Sequence, residues 1–211
     1  MAAILSTNKL NKSFYRRELL IVARELLGKV LVKSSGKEIL AGKIVEVEAY
    51  HGDTDEAAHS YGGITKRNEI MFETGGFLYV YFTYGAHHCC NVVTGKKGQG
   101  TAVLIRAVEP ISGIDKMIKN RFGRKLKNDK EIFNLTSGPG KVCQAFKLDR
   151  NHSGTDLTSE DIFMLDGEKI RSKDIGVSKR IGITRSVDLP WRFFIKDNPY
   201  LSRKWFHQKI Y

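Results

Sequence analysis

Residues 45 to 50 have the sequence V-E-V-E-A-Y, and this alternation of apolar and polar residues predicts a β-strand with two different faces. One face is expected to hold Val45, Val47 and Ala49. The other face carries Glu46, Glu48 and Tyr50. An ordinary strand of this pattern buries its apolar face and exposes its charges to water, which is the simpler interpretation of the alternation.

Tyr50 and His59 favour a second interpretation, in which the polar face forms the wall of a pocket. Tyr50 lies beside a carboxylate, and the imidazole of His59 follows nine residues later, after a turn rich in acidic residues. A carboxylate, an aromatic ring and an imidazole close together are typical of a catalytic or binding site. This stretch therefore predicts that Glu48, Tyr50 and His59 lie near one another.

The charge of the chain indicates a polyanionic partner. The sequence has 35 Lys and Arg residues against 23 Asp and Glu residues, which gives a net charge of +12. Such a surface suits a nucleic acid first and an anionic membrane surface second. The sequence has no long basic amphipathic helix with aromatic anchors, and no apolar run of the roughly 20 residues that a membrane span needs. Nucleic acid is therefore favoured, and no membrane is expected.

The length of 211 residues allows one substantial core, so a single domain over residues 1–211 is predicted, with residues 1–12 irregular. The first residues have no basic segment and too short an apolar run for a secretory signal, so the protein is expected inside the cell. That means the cytoplasm or nucleoid, or the nucleus of a eukaryote. Three cysteines cannot all pair, which fits a reducing compartment.

The run His87-His88-Cys89-Cys90 contains residue types that bind metals. In a strand, however, successive side chains point to opposite faces, so at most two of these residues share a face, whereas structural zinc needs four ligands. A strand with buried cysteines is favoured. We therefore predict neither a metal nor a cofactor.

Periodicity and turn residues predict the other elements. Helices are expected from Ser13 to Gly28, from Ile111 to Phe122 and from Val142 to Phe146. Strands are expected at Lys29–Lys33, Glu38–Tyr50, Phe77–Tyr84, His87–Val93, Thr101–Val108, Ile162–Leu165, Arg180–Ile183 and Arg192–Ile195. The third helix is predicted to have Ser137 as its N-cap, and its free N–H groups together with Ser137 and Lys141 are expected to bind a phosphate.

Two residues keep alternative interpretations at this point. Tyr84 lies at the tip of the hairpin formed by the third and fourth strands, either as an exposed ring or as a wedge for a base stack. Arg106 interrupts an otherwise apolar strand, so it is either exposed at a sheet edge or paired with Glu48 or a ligand.

A strand carboxylate with stacking rings in a basic protein suits hydrolysis of an N-glycosidic bond better than cleavage of a phosphodiester.

Eight short strings along the chain carry most of these residues. They are K-I-V-E-V-E-A-Y, D-E-A-A-H-S, R-N-E-I-M-F, L-Y-V-Y-F-T-Y-G, C-C-N, V-L-I-R-A-V-E-P, S-G-P-G-K-V-C-Q-A and P-W-R-F. In their content and order the chain resembles the alkyladenine (3-methyladenine) DNA glycosylase family, the metal-free type unrelated to helix-hairpin-helix glycosylases. The resemblance implies a mixed α/β (α+β) single domain, with a curved, largely antiparallel sheet, a protruding β-hairpin and surrounding helices.

The resemblance also implies a role for each matching position. Glu48 matches the general base that activates water, while Arg106 and the main-chain carbonyl of Ile181 match groups that hold this water. The base-binding positions are Tyr50, His59, Tyr81 and Asn91, of which the first three sandwich the flipped base and the last collides with the amino group of normal guanine. Tyr84 matches the tyrosine that intercalates into the base stack.

The resemblance therefore implies a monofunctional enzyme, expected to be a monomer, that acts on double-stranded DNA containing damaged purines. Its substrates would be alkylated purines such as 3-methyladenine and 7-methylguanine, with deaminated and etheno purines as further candidates. Ala86 and His87 replace bulkier residues of some members, and the loop at residues 64–67 is one residue shorter. The competing interpretation is a binder of damaged or single-stranded nucleic acid without catalysis, which would have no need of Glu48.

Overall fold

A long strand, Glu38–Tyr50, lies in the middle of the sheet around which the protein is built. The computed structural model describes residues 8–36, 38–83 and 85–203. The strands among these residues are β1 (Val30–Ser35), β2 (Glu38–Tyr50), β3 (Leu78–Thr83), β4 (His87–Thr94), β5 (Thr101–Ser112), β6 (Ile162–Leu165), β7 (Ile175–Ser178) and β8 (Arg192–Ile195). The helices are α1 (Lys12–Tyr15), α2 (Leu19–Leu26), α3 (Ile114–Phe122) and α4 (Pro139–Phe146). The 3-10 turns are Glu69–Phe72, Asp129–Asn134, Arg150–His152 and Ser172–Asp174.

All strand pairs in this sheet are antiparallel, and the main order is β3-β4-β5-β2-β1-β6. Strand β8 pairs with the second half of β2 and with β7. The second half of β2 is therefore covered by β5 on one side and β8 on the other. The helices pack on the sheet through a core that contains the apolar faces of α2 and α4. The predicted fold class, a curled antiparallel sheet with a few helices, is confirmed.

The alternation predicted for residues 45 to 50 is wrong at Val45. The register of β2 against β5 shifts on both sides of Glu46, and the pairing passes over Val45 on β2 and Arg106 on β5. Irregularities of this kind turn side chains away from strict alternation. Val47 and Ala49 accordingly lie in the main core, whereas Val45 packs in a separate small cluster.

The helix predicted from Ser13 to Gly28 is in fact two helices, α1 and α2. The side chain of Glu18 accepts hydrogen bonds from the backbone N–H groups of Leu20 and Ile21 and so caps a new helix start. The irregular segment predicted for residues 1–12 is also partly wrong, because Lys12 is helical and Lys9 forms a β-bridge. Residues 1–7 lie outside the described residues.

Two further predictions are corrected and one hairpin is confirmed. Helix α4 has Gly138 as its N-cap, without a side-chain hydrogen bond, so Ser137 is not the N-cap. Residues 180–183 form no strand, because the chain pairs with β8 slightly earlier, at Ile175–Ser178. Strands β3 and β4 pair up to Thr83 opposite His87, as the predicted hairpin requires. Tyr84 itself lies outside the described residues.

Candidate active site

A pocket of about 370 Å³ opens where β2, the β3–β4 hairpin, β5 and the segment after β7 meet. Its lining consists of Tyr50, Ala57, His59, Met71, Tyr79, Tyr81, Thr83, Cys89, Asn91, Leu104, Arg106, Pro139, Ile181, Gly182 and Ile183. All of the predicted base-binding residues are in this set. The volume lies within the range of about 300 to 1,000 Å³ that is common for small-molecule sites.

Glu48 lies beneath this pocket with its side chain completely buried. Its Oε1 accepts a hydrogen bond of 2.7 Å from the backbone N–H of Ile181. Its Oε2 accepts one of 2.9 Å from the hydroxyl of Tyr50 and one of 3.1 Å from Nη1 of Arg106. A buried carboxylate is stable only with such partners. Strands β5 and β8 lie on either side of this part of β2, and the three donors hold the carboxylate in one orientation.

Arg106 is buried and paired, so the alternative of an exposed sheet edge is wrong. Its Nε donates to Oε1 of Glu46 at 2.9 Å, and its Nη2 donates to the hydroxyl of Ser202 at 3.1 Å. Burial by itself would lower the pKa of Arg106, but the adjacent carboxylates of Glu48 and Glu46 raise it. The guanidinium therefore stays charged and bridges two carboxylates of the same strand.

Glu46 completes this network, although the sequence assigns it only to the polar face of the strand. It also accepts hydrogen bonds from Nε of Arg192 at 2.8 Å and from the backbone N–H of Ser202 at 2.6 Å. Burial would raise the pKa of Glu46, but Arg192 and Arg106 hold it below its ordinary value of 4.5. Two arginines on strands that follow β2 are the sequence feature that could have indicated its role.

Aromatic rings form one wall of the pocket. The rings of His59 and Tyr81 lie with centroids 4.3 Å apart at 76°. Nδ1 of His59 lies 3.1 Å from the hydroxyl of Tyr79, a residue to which the sequence gave no role in the site. Burial, assisted by the positive charge of Arg67, lowers the pKa of His59 below its ordinary value of 6.5. His59 is therefore neutral at pH 7 and presents an uncharged ring.

The floor of the pocket contains Asn91 and Cys89 on β4. Asn91 is buried, and its Nδ2 donates to the backbone carbonyl of Tyr79 at 3.2 Å, which fixes the orientation of the amide. Burial and the neighbouring Cys90 raise the pKa of Cys89 to about 11, so Cys89 is a neutral thiol at pH 7. Cys89 and Cys90 are free and buried on β4, in agreement with the expected strand of buried cysteines, and Cys143 on α4 is free and buried as well.

The predicted phosphate-binding residues lie at the edge of the pocket, beside Pro139 at the start of α4. Nζ of Lys141 donates to the side-chain oxygen of Asn134 and, at 3.3 Å, to the hydroxyl of Ser137. Burial and the positive charge of Arg121 lower the pKa of Lys141. Lys141 would have to exchange these internal partners to bind a phosphate.

The described residues contain no group of three or more His, Cys, Asp or Glu side chains that could hold a metal ion. In the same part of the chain, the helices are all too short or too polar to cross a membrane.

Comparisons with known proteins agree on one family. Residues 13–199 match the family model described as methylpurine-DNA glycosylase (MPG). A protein of Alkaliphilus oremlandii is 47% identical over 202 residues, covering 93% of this chain and 100% of that protein. A protein of Carboxydothermus hydrogenoformans is 49% identical over 196 residues, covering 92% and 99%. One of Clostridium novyi is 46% identical over 203 residues, covering 93% and 99%. All three carry the name "Putative 3-methyladenine DNA glycosylase".

The buried charge network makes a prediction about stability. Glu46→Gln should lower the free energy of unfolding at pH 7 by about 3 to 5 kcal/mol, because two buried arginines lose a charged partner. The pKa of Glu46 is lowered in the folded protein, so its charge contributes stability above pH 4.5 and this contribution is lost as the pH falls further. The difference in free energy of unfolding between the wild-type protein and Glu46→Gln should therefore shrink as the pH falls. Denaturant unfolding at several pH values measures this difference.

The matched control is Glu160→Gln, because Glu160 is 89% exposed and pairs with Lys9 at the surface. Exposed pairs contribute about 0 to 1 kcal/mol. Equal losses for the two variants at pH 7, or a difference that grows on acidification, would contradict the role given to Glu46.

Proposed function

Because this chain belongs to the methylpurine-DNA glycosylase family, we propose that its pocket releases a methylated purine from DNA by hydrolysing the N-glycosidic bond. The observation that carries the proposal is Glu48, a completely buried carboxylate held by three hydrogen-bond donors beneath a pocket with aromatic walls. The family membership supports DNA and methylated purines as the substrate. The roles of individual residues are supported by their geometry.

In the proposed reaction, Glu48 accepts a proton from a water molecule as the water oxygen bonds to the anomeric carbon of the sugar. The bond from that carbon to the purine breaks, and its electron pair leaves with the base. An ionised carboxylate has about four acceptor positions, so the three protein donors leave room for one water. Arg106 and the main-chain carbonyl of Ile181 are proposed to hold this water on the other side.

The leaving group needs little help from an acid when the purine is alkylated. Alkylation at a ring nitrogen such as N3 or N7 gives the base a positive charge, which the departing electron pair neutralises. The neutral state of His59 at pH 7 agrees with this chemistry, because an uncharged ring does not repel a cationic base. We propose that Tyr50, His59 and Tyr81 hold the base between their rings after it has been turned out of the duplex.

We propose that the enzyme is monofunctional and acts as a monomer on duplex DNA, with one glycosylase domain over residues 1–211. An enzyme that also cleaves the DNA strand through a Schiff base needs an amine at the site. The described lining residues of the pocket include no lysine. The net charge of +12 supports attraction to the DNA backbone, and an intracellular location is part of the same proposal.

The proposal is tested with duplexes that each contain one defined lesion, with an undamaged duplex as the control. We expect release of a free purine from the duplex with 3-methyladenine or 7-methylguanine, and strand cleavage only after alkali converts the abasic site. Chelating agents should leave the rate unchanged. Strand breaks without alkali would contradict the monofunctional assignment, and no release from any lesion would contradict the proposed activity.

Asn91 is proposed to exclude normal guanine by contact with its 2-amino group. Asn91→Ser removes part of the side chain, so excision of 7-methylguanine relative to hypoxanthine should rise by about tenfold. The ratio is measured by single-turnover excision from matched duplexes. Asn151→Ser, at an exposed position, is the control and should leave the ratio unchanged. An unchanged ratio for Asn91→Ser would remove this residue from the selectivity mechanism.

Tyr84 is proposed to fill the space left in the base stack, on the grounds of the resemblance alone, since it lies outside the described residues. Tyr84→Ala should weaken binding to paired lesions, because extrusion of a nucleotide costs a few kcal/mol of unstacking. The loss should be much smaller when the lesion is unpaired. Equal losses on both substrates, in parallel binding and single-turnover assays, would rule out the wedge.

Lys141→Ala provides the comparison for Tyr84→Ala. If Lys141, together with Ser137 and the start of α4, binds a phosphate, this change should weaken binding to paired and unpaired lesions about equally. It should also reduce the slope of affinity against salt concentration by roughly one phosphate contact.

A further inference from the structure

One of the three donors to Glu48 comes from a segment without regular secondary structure. Strand β7 ends at Ser178 and β8 begins at Arg192, and the residues between them form turns and bends. Ile181 in this segment nevertheless places its backbone N–H 2.7 Å from Oε1 of Glu48. No ladder of backbone hydrogen bonds holds residues 179–183 in place, so another interaction must fix the position of this donor.

Arg180, the residue before Ile181, supplies that interaction. Its side chain is completely buried, as is that of Asp55, and the two form a fork-shaped pair with contacts of 2.5 Å and 2.7 Å. Nη1 of Arg180 also donates to the backbone carbonyl of Ala49 at 2.9 Å. Ala49 lies between Glu48 and Tyr50, so the guanidinium connects the irregular segment directly to the catalytic strand.

The same guanidinium also contacts the base-binding ring of Tyr50. It lies over the Tyr50 ring at 4.5 Å from the centroid, and over the Trp191 ring at 5.5 Å. Stacking of this kind restrains a ring from behind. The hydroxyl of Tyr50 donates to Glu48, so the position of this ring and the position of the carboxylate are linked.

Asp55 extends the connection to the turn that carries His59. Its Oδ1 accepts a hydrogen bond from the backbone N–H of Ala57 at 3.0 Å, and its backbone carbonyl accepts one from Ala58 at 2.9 Å. A buried ion pair is often no more stabilising than apolar residues of the same volume. The fixed bidentate geometry of the Asp55–Arg180 pair, by contrast, sets the distance and orientation between the turn that carries His59 and the irregular segment after β7.

We propose that Asp55 and Arg180 are a positioning pair for the reaction: their contact holds the Ile181 N–H against Glu48 and holds the Tyr50 ring at the base site. The inference rests on the proposed glycosylase function, and it adds two residues that act through Ile181 and Tyr50. Loss of the pair should slow base release more than it weakens binding of the lesion, because misplacement of a catalytic group by about 1 Å can cost 100-fold in rate.

The test compares Arg180→Lys with the wild-type protein. Lysine keeps the charge but loses both the fork and the stacking. We expect the single-turnover rate of excision at saturating enzyme to fall by about 100-fold, with a much smaller increase in the enzyme concentration that gives half the maximal rate. The concentration of active sites is determined separately, so that a smaller folded fraction is not taken for a slower step.

A second readout does not depend on activity. Hydrogen exchange of the Ile181 amide, followed by NMR, should become about tenfold or more faster in Arg180→Lys, because Arg180 then no longer holds this amide against its acceptor, Glu48. Asp188→Asn is the matched control. It removes a surface ion pair with Lys179 in the same segment, where Asp188 is 85% exposed, and should change neither readout.

Asp55→Asn decides the question if Arg180→Lys does not fold. It keeps the shape of the side chain, and Arg180 keeps the carbonyls of Ala49 and Ser186 as acceptors. It should show the same pattern with a smaller loss. If Asp55→Asn has the same maximal rate and the same Ile181 exchange as the wild type, the positioning role is overturned.

Failure of the wild type to release any base would instead overturn the proposed function, while the exchange data would still report whether the pair holds Ile181.

Discussion

The contact between Arg106 and two carboxylates of β2 is the interaction on which the rest of the site depends. Glu46 and Glu48 are both completely buried in a strand that has neighbours on each side, so their charges need partners within the protein. The compensating guanidinium groups come from those neighbours, Arg106 on β5 and Arg192 on β8. The register irregularity at Arg106 belongs to the same arrangement. The strands that pair with β2 are also the strands that supply the arginines for its two carboxylates.

Around this network, one wall of the pocket lies on paired strands and the other on a segment without regular secondary structure. Tyr79 and Tyr81 lie on β3 of the β3–β4 hairpin with stacked rings, and the ring of His59 packs edge-on against Tyr81. The opposite wall, residues 181–183, has no ladder and is held by buried contacts instead. Residues on loops that are positioned by a rigid scaffold commonly carry function. The carboxylate of Glu48 is held by Ile181 of this irregular wall and by Tyr50 and Arg106 on β2 and β5.

The sequence predicts the local elements well and the long-range contacts poorly. The bounds Glu38–Tyr50 are correct because alternation and a turn mark them locally, and the pairing of Arg106 follows from the cost of burying a lone charge. The role of Glu46 was not predicted, since its partner Arg192 lies 146 residues away and the local pattern around Glu46 does not pair the two. The strand predicted at residues 180–183 fails for a similar reason: its short apolar pattern belongs to a pocket wall that a distant ion pair holds. Family resemblance supplied residue roles that periodicity alone could not.

The central claim is that the carboxylate of Glu48 activates the water that releases the base. The most direct test is single-turnover excision by Glu48→Gln, measured together with lesion binding and with Glu56→Gln as a control, since Glu56 is an exposed acid in the adjacent turn. The amide keeps the shape but cannot accept the proton, so the rate should fall by about 10² to 10⁴ while binding is retained or strengthened. Excision by Glu48→Gln at the wild-type rate would contradict the account.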